Sequence, residues 1–209
     1  MPEAVITRPV GWCDFRDAGV AELQYPPGAL VLVAGLPGAG KSTLLARLFS
    51  LDGQEITPKV VDGVHIADSV HTRNWWGRFF PAMPRPLIRL SHFYRIYHRA
   101  RRGIGLITHT RGTRRLAIKL YISAARRAGR EVHVILIDVP HEIALQGQHA
   151  RGRVITSHVF RGHVRRWGAI MRARERVLDA QFARARSVVL LNREAVDHLT
   201  AIRHCDEGQ

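Results

Sequence analysis

A three-layer α/β sandwich, with a five-stranded and mostly parallel sheet between helices on both faces, is the fold class this sequence predicts. Three observations predict it. Apolar runs of strand length alternate with stretches of helical spacing along the chain. A glycine-rich turn leaves the first of those runs and opens directly into a leucine-bearing helix. The 209 residues, 46% of them hydrophobic, are the size of one domain with one sizeable core, and no repeat or low-complexity linker divides them. A single domain over residues 1–209 is expected.

Leu30–Ala34 is a short buried strand, and Lys41–Ser50 continues as a helix with Leu44, Leu45 and Leu48 at core spacing. Val60–Val64 reads as the second strand and Gly105–Thr108 as the third. Val132–Val139 is the fourth and Val188–Leu191 the fifth. Arg85–Arg102 is helical. Arg114–Ala128 is a helix with Thr113 as its cap and Gly129 as its stop. Ser157–Ala185 reads as one long helix whose stripe of Phe160, Val164, Trp167, Met171, Leu178 and Phe182 packs into the core, interrupted only at Arg174. Between the second and third strands, Trp75, Trp76, Phe79 and Phe80 crowd ahead of Pro81, Pro84 and Pro86, so regular structure is expected to break over residues 74–86. That segment is either the lining of a substrate pocket, with Trp76 its candidate contact, or a hydrophobic plug under a loop.

Composition narrows the class further. Two cysteines, Cys13 and Cys205, stand nearly a chain length apart, which excludes a disulfide-stapled scaffold. The longest clean apolar run, Ala29–Gly35, is far short of a membrane span, and the start lacks a basic region followed by an apolar core. A cytoplasmic protein without membrane association is expected. The net charge is +15, with a sequence pI of about 11.4. Of the 32 basic residues only Lys41, Lys59 and Lys119 are lysine. GC-rich codon usage accounts for that ratio better than any ligand does. It accounts less well for the excess over acids, which points to an anionic partner: a phosphorylated metabolite or nucleic acid. Twelve histidines form no zinc-ligand spacing.

Gly35-Leu36-Pro37-Gly38-Ala39-Gly40-Lys41-Ser42 fits G-x-x-x-x-G-K-[ST] without mismatch, between strand and helix where the mechanism needs it. Gly35, Gly38 and Gly40, with Pro37 and Ala39 between them, let backbone N–H groups approach phosphate oxygens. The helix that follows, through Lys41, Ser42 and Thr43, adds the positive end of its dipole. Lys41 reaches the β- and γ-phosphates and the Ser42 hydroxyl ligates Mg²⁺. A nucleoside triphosphate, ATP, is the expected ligand.

Phosphoryl transfer also needs a carboxylate at the acceptor and cations over the moving group. Asp68, just past the second strand, is placed to take a proton from an attacking hydroxyl, or it is a helix N-cap; the two roles can coexist. Asp62, inside the strand run, is its rival and a candidate for holding Mg²⁺ through water. Arg151 and Arg153 flank Gly152 in a segment, about residues 148–157, that suits a lid closing on phosphate. Arg161, Arg165, Arg172 and Arg176 share one helical face, as do Arg95, Arg99 and Arg102, and a solvated face is the expected reading of both sets. A base pocket near Arg193 and the fifth strand is too diffuse to delineate.

With these residues the chain resembles the zeta-toxin and polynucleotide-kinase branch of P-loop kinases, from Val31 through the lid. The loop Gly35–Thr43 matches the family's glycine–proline–glycine loop, and Arg114-Arg115-Leu116-Ala117 is similar to its helix after the third strand. Ile137-Asp138-Val139-Pro140 and Ala150-Arg151-Gly152 are similar to its fourth strand and lid. The resemblance implies Asp68 as general base and Arg151 as the arginine on the γ-phosphate. Two departures stand out. Thr108-His109-Thr110 occupies the place of an aspartate after the third strand. Asp68 and Arg73 are five apart, where the phage members space base and acceptor-phosphate arginine by three.

The expected function is an ATP- and Mg²⁺-dependent kinase that phosphorylates a hydroxyl. Lys41, Asp68 and Arg151 are its catalytic candidates, and Arg73 and Trp76 its acceptor contacts. A nucleic-acid 5′-hydroxyl is one acceptor, and a nucleoside, sugar or nucleotide sugar the other. A nucleotide-hydrolysing or nucleotide-sensing switch is the reading of another class, and the sequence lacks the Asp-Glu pair that polarises water in many ATPases.

Overall fold

The computed structural model describes residues 5–51, 59–61, 64–67, 69–80, 82, 84–111, 115–150, 155–172, 182 and 184–205. Its strands in chain order are β1 (Val5–Thr7), β2 (Gly11–Asp14), β3 (Val20–Tyr25), β4 (Leu30–Gly35), β5 (Lys59–Val61), β6 (Val64–Ala67), β7 (Leu106–Arg111), β8 (Val132–Ile137), β9 (Ser187–Leu191) and β10 (Ala201–His204). The helices are α1 (Lys41–Phe49), α2 (Ser69–Phe79), α3 (Arg85–Arg101), α4 (Arg115–Arg127), α5 (His141–His149), α6 (Ser157–Arg172) and α7 (Arg193–His198).

The main sheet runs β2-β9-β8-β4-β7-β6-β5. Its five central strands, β9 to β6, are all parallel, and four of them, β4, β7, β8 and β9, are where the apolar runs predict strands. Every residue of β4, β8 and β9 is buried, His133 and Ser187 included, as runs dominated by Val, Ile and Leu require when helices cover both faces of a sheet. With this strand order, the right-handed rule for crossovers between parallel strands assigns α1 to one face and the helices between β6 and β8 to the other. Arg47 of α1 donates to the carbonyls of Val196, Asp197 and Leu199, tying α1 to α7. On the opposite face Phe93 of α3 stacks on Tyr121 of α4 at 5.1 Å between ring centroids.

Short, half-exposed strands extend this plan. β2 adds in parallel to β9, and β5 pairs antiparallel with β6. A second, three-stranded parallel sheet, β1-β3-β10, joins the two ends of the described chain. Tyr25 of β3 packs on His133 of β8 at 4.6 Å, at the end of the main sheet remote from Gly35–Gly40.

Three elements differ from expectation. The run Val60–Val64 is not one strand, because Lys59–Val61 and Val64–Ala67 pair antiparallel. The aromatic segment stays helical through Phe79, because its prolines all lie beyond it: Pro84 caps α3 and Pro86 sits in the first turn of α3, where a proline is tolerated, while Pro81 lies outside the described residues. The long helix ends its described part at Arg172, and Arg184 to Arg186 are not helical. Thr113, Arg174 and Leu178 lie outside the described residues.

Candidate functional site

The loop between β4 and α1 is where the sequence places phosphate chemistry. Gly38 and Gly40 have φ of +94° and +91°, a backbone conformation that side chains with a Cβ avoid. Gly40 is the N-cap of α1 and makes no side-chain cap, and the first turn of α1 has no acidic residue. A helix N-terminus so built leaves its orphan N–H groups and its positive dipole end to an anion. Lys41 is buried, with Nζ donating to the carbonyls of Gly35 at 3.0 Å and Leu36 at 2.6 Å. Its ammonium is thus held against the backbone of the same turn, where it could neutralise a phosphate's charge.

Helix α5 is seated on this loop. A Cβ added at Gly38 would strike the carbonyl oxygen of Ala144, and one added at Gly147 would strike the carbonyl oxygen of Gly38. Gln148, buried at the end of α5, donates from Nε2 to Pro37 O at 3.1 Å and accepts from Ile155 N at 3.2 Å. One amide therefore ties the loop to the backbone on the far side of residues 151–154. Loop residues Gly38 and Ala39, α5 residues Ile143 and Gly147, and Val139 and Arg193 line a cleft of about 250 Å³. Arg193 at the start of α7 thus lies beside the loop, where the sequence suggests a base pocket.

Two further contacts gather at the carboxyl end of the sheet. Ser42 Oγ lies 3.3 Å from His109 Nε2, across the β4–β7 pair. Asp138, just past β8, accepts from Trp167 Nε1 of α6 at 2.9 Å, and Arg16 NH1 stands 3.6 Å from its other oxygen. Trp167 is therefore core, as its stripe predicts, and also an anchor for α6 beside the loop.

The remaining candidates divide clearly. Gly35 to Thr43 form one continuous site. Arg73 is exposed on α2, which leaves the sheet from the carboxyl end of β6. Trp76 is half-buried, edge-on to Trp75 at 4.9 Å and 5.5 Å from Phe80, and its buried Nε1 has no hydrogen-bond partner among the described residues. Asp62, Asp68, Arg151 and Arg153 lie outside the described residues. Arg95 and Arg99 are half-buried rather than solvated, and burial pulls both guanidinium pKa values down; Arg102 and Arg161 are exposed. Sequence reasoning missed Gly147, Gln148 and the contact of His109 with Ser42.

The charge is also segregated. Residues 69–130, spanning α2, α3, β7 and α4, contain fifteen Arg and Lys and no Asp or Glu, while the rest of the chain contains seventeen of each sign. The whole net charge of +15 thus belongs to that segment. Codon bias raises arginine everywhere, but it does not remove acids from one stretch.

A protein-family model described as AAA domain matches residues 30–188. No curated protein matches the sequence. Among solved structures, that of the PezAT chromosomal toxin-antitoxin system of Streptococcus pneumoniae is similar at 14% identity with a TM-score of 0.52, over 84% of this chain and 71% of that one. A gluconokinase from Sinorhizobium meliloti 1021 is similar at 13% identity and a TM-score of 0.48, over 84% and 89%. The tunicamycin resistance protein of Deinococcus radiodurans is similar at 14% identity and a TM-score of 0.45, over 70% and 81%. Identities this low speak to fold. No helix among the described residues is long and apolar enough to cross a membrane.

Proposed function

The chain belongs to the AAA domain family, and on that premise we propose that it is a cytoplasmic ATP- and Mg²⁺-dependent kinase that moves the γ-phosphate onto a hydroxyl. The observation that carries this reading is the loop itself. Two positive-φ glycines, an uncapped helix N-terminus and a buried lysine meet in one turn, roofed by α5. That combination suits a polyphosphate and little else.

In this reading Gly35 to Thr43 wrap the phosphates and Lys41 exchanges the Gly35 and Leu36 carbonyls for phosphate oxygens. Ser42 would hold the cation by its hydroxyl, and Asp62 would act on it through water. Mg²⁺, when bound, supplies charge neutralisation at the phosphate oxygens. Asp68 takes the proton of the acceptor hydroxyl as its oxygen attacks the γ-phosphorus and ADP departs. Arg151 and Arg153 neutralise the moving phosphoryl group, and Gln148 ties Ile155 to the loop.

The acceptor is anionic, and a nucleic-acid 5′-hydroxyl is the leading candidate. The acid-free segment 69–130 supports this, because it includes α2, which emerges beside the loop's sheet and carries Arg73. The buried, unpartnered Trp76 Nε1 favours a second reading: a donor inside a compact aromatic pocket suits a small hydroxylated acceptor. Asp68→Asn should still bind ATP, read by isothermal titration, while transfer disappears. Full transfer activity in Asp68→Asn removes that carboxylate from the mechanism.

A further inference from the structure

Near the carboxyl end of β7 the chain carries Thr108-His109-Thr110, ahead of Arg111. His109 pairs with Val33 in the β4–β7 ladder, and β4 feeds the loop that opens α1. Backbone register therefore fixes the imidazole beside the first turn of α1, with Nε2 at 3.3 Å from Ser42 Oγ. Two adjacent ligands of one cation, each about 2.1 Å from it, stand about 3 Å apart. The Ser42–His109 separation is close to that of such a pair. Among the described residues no three His, Cys, Asp or Glu side chains gather to hold a metal by themselves. A cation at Ser42 and His109 is thus one that also needs ligands from the nucleotide or water.

The chemistry of the donors sets the preference. Mg²⁺ favours an all-oxygen shell, whereas imidazole nitrogen suits first-row transition ions. We propose that His109 Nε2 is a direct ligand of the divalent cation held at Ser42, and that this nitrogen biases the site toward Mn²⁺ over Mg²⁺. The inference rests on reading the Gly35–Ser42 loop as a nucleotide and cation site. It assigns His109 the place that a carboxylate takes in oxygen-only sites, with a different metal preference as the consequence.

The test uses the full chain with ADP and Mn²⁺. Mn²⁺ binding is followed by loss of the free-ion EPR signal, and nitrogen coordination by pulsed EPR. Wild type should show the ¹⁴N modulation of a directly bound imidazole. His109→Ala and His109→Asp should keep nucleotide-linked Mn²⁺ but lose that modulation, and the paired variants separate imidazole from base nitrogens. In Mg²⁺ competition, His109→Asp should lower the preference for Mn²⁺ about tenfold or more. His109→Asp also guards against misfolding of the alanine variant, since it keeps a polar group against Ser42. Bound Mn²⁺ without ¹⁴N modulation in wild type, or modulation that persists in both variants, overturns the assignment while leaving the nucleotide site standing. Failure of wild type to bind Mn²⁺ with ADP at all overturns both.

Discussion

His133 shows how one buried side chain sets a property of the whole fold. It is 2% exposed, its Nδ1 is 2.8 Å from Ser187 Oγ, and the Tyr25 ring covers it. Burial pushes its pKa down to about 4, helped by the positive charge that His204 would carry if protonated and by that of Arg186. Glu131 Oε2, 3.4 Å from Nε2, pulls the other way, but that carboxylate is 45% exposed and its charge is screened by water. Burial also lowers the pKa of His204. Both imidazoles are neutral when folded and gain a proton more readily when unfolded. Stability is therefore full above the ordinary histidine range and falls as pH drops from about 6.5 toward about 4. Unfolding free energies from urea titrations at pH 7.5 and 4.5, both about the edges of that window, should differ by about 2 kcal/mol from His133 alone, and His133→Gln should shrink the difference; equal free energies would refute this. Lys41 acts locally instead. Lys41→Ala should abolish ATP binding by titration calorimetry while the chain still melts cooperatively.

Helix α5 is the element that decides the shape of the site. Alanine normally improves a helix over glycine by up to about 1 kcal/mol. At Gly162 of α6, where an added Cβ meets nothing within 4 Å, Gly162→Ala should raise the melting temperature. At Gly147 the same change drives a Cβ into the carbonyl of Gly38, so Gly147→Ala should lower it and weaken nucleotide binding about tenfold or more. A stabilised Gly147→Ala would mean that α5 does not rest on the loop. Gln148→Ala leaves the Pro37 carbonyl and the Ile155 N–H without partners, a loss of about 1–3 kcal/mol by thermal melt. Neither residue was legible in the sequence. An isolated glycine and a glutamine inside a helical pattern carry no local signal, and their roles come from a loop about 110 residues earlier. The loop itself was legible, because Gly38, Gly40, Lys41 and Ser42 fix its geometry within nine positions.

At the scale of the molecule, the same division between local and distant holds. The apolar runs of β4, β8 and β9, broken only by His133 and Ser187, announced a buried parallel core, since a strand covered on both faces does not alternate apolar with polar residues. The β1-β3-β10 sheet was not legible, because β3 and β10 pair over nearly the whole length of the chain and each is short. Charge is the other molecular property. With all of the +15 excess within residues 69–130, a polymeric anionic acceptor should bind with steep salt dependence, and a small one with little. Filter binding of a 5′-hydroxyl oligonucleotide between 50 and 200 mM salt, both about the range where that term is resolved, distinguishes them. The central claim is phosphoryl transfer, and γ-labelled ATP tests it most directly. The protein with Mg²⁺ is offered 5′-hydroxyl oligonucleotides beside a panel of nucleosides, sugars and nucleotide sugars, with Lys41→Ala as the blank. Label on a hydroxyl acceptor, absent in Lys41→Ala, is the expected result. Release of free phosphate alone with every acceptor would contradict a kinase and point to a nucleotide-hydrolysing switch.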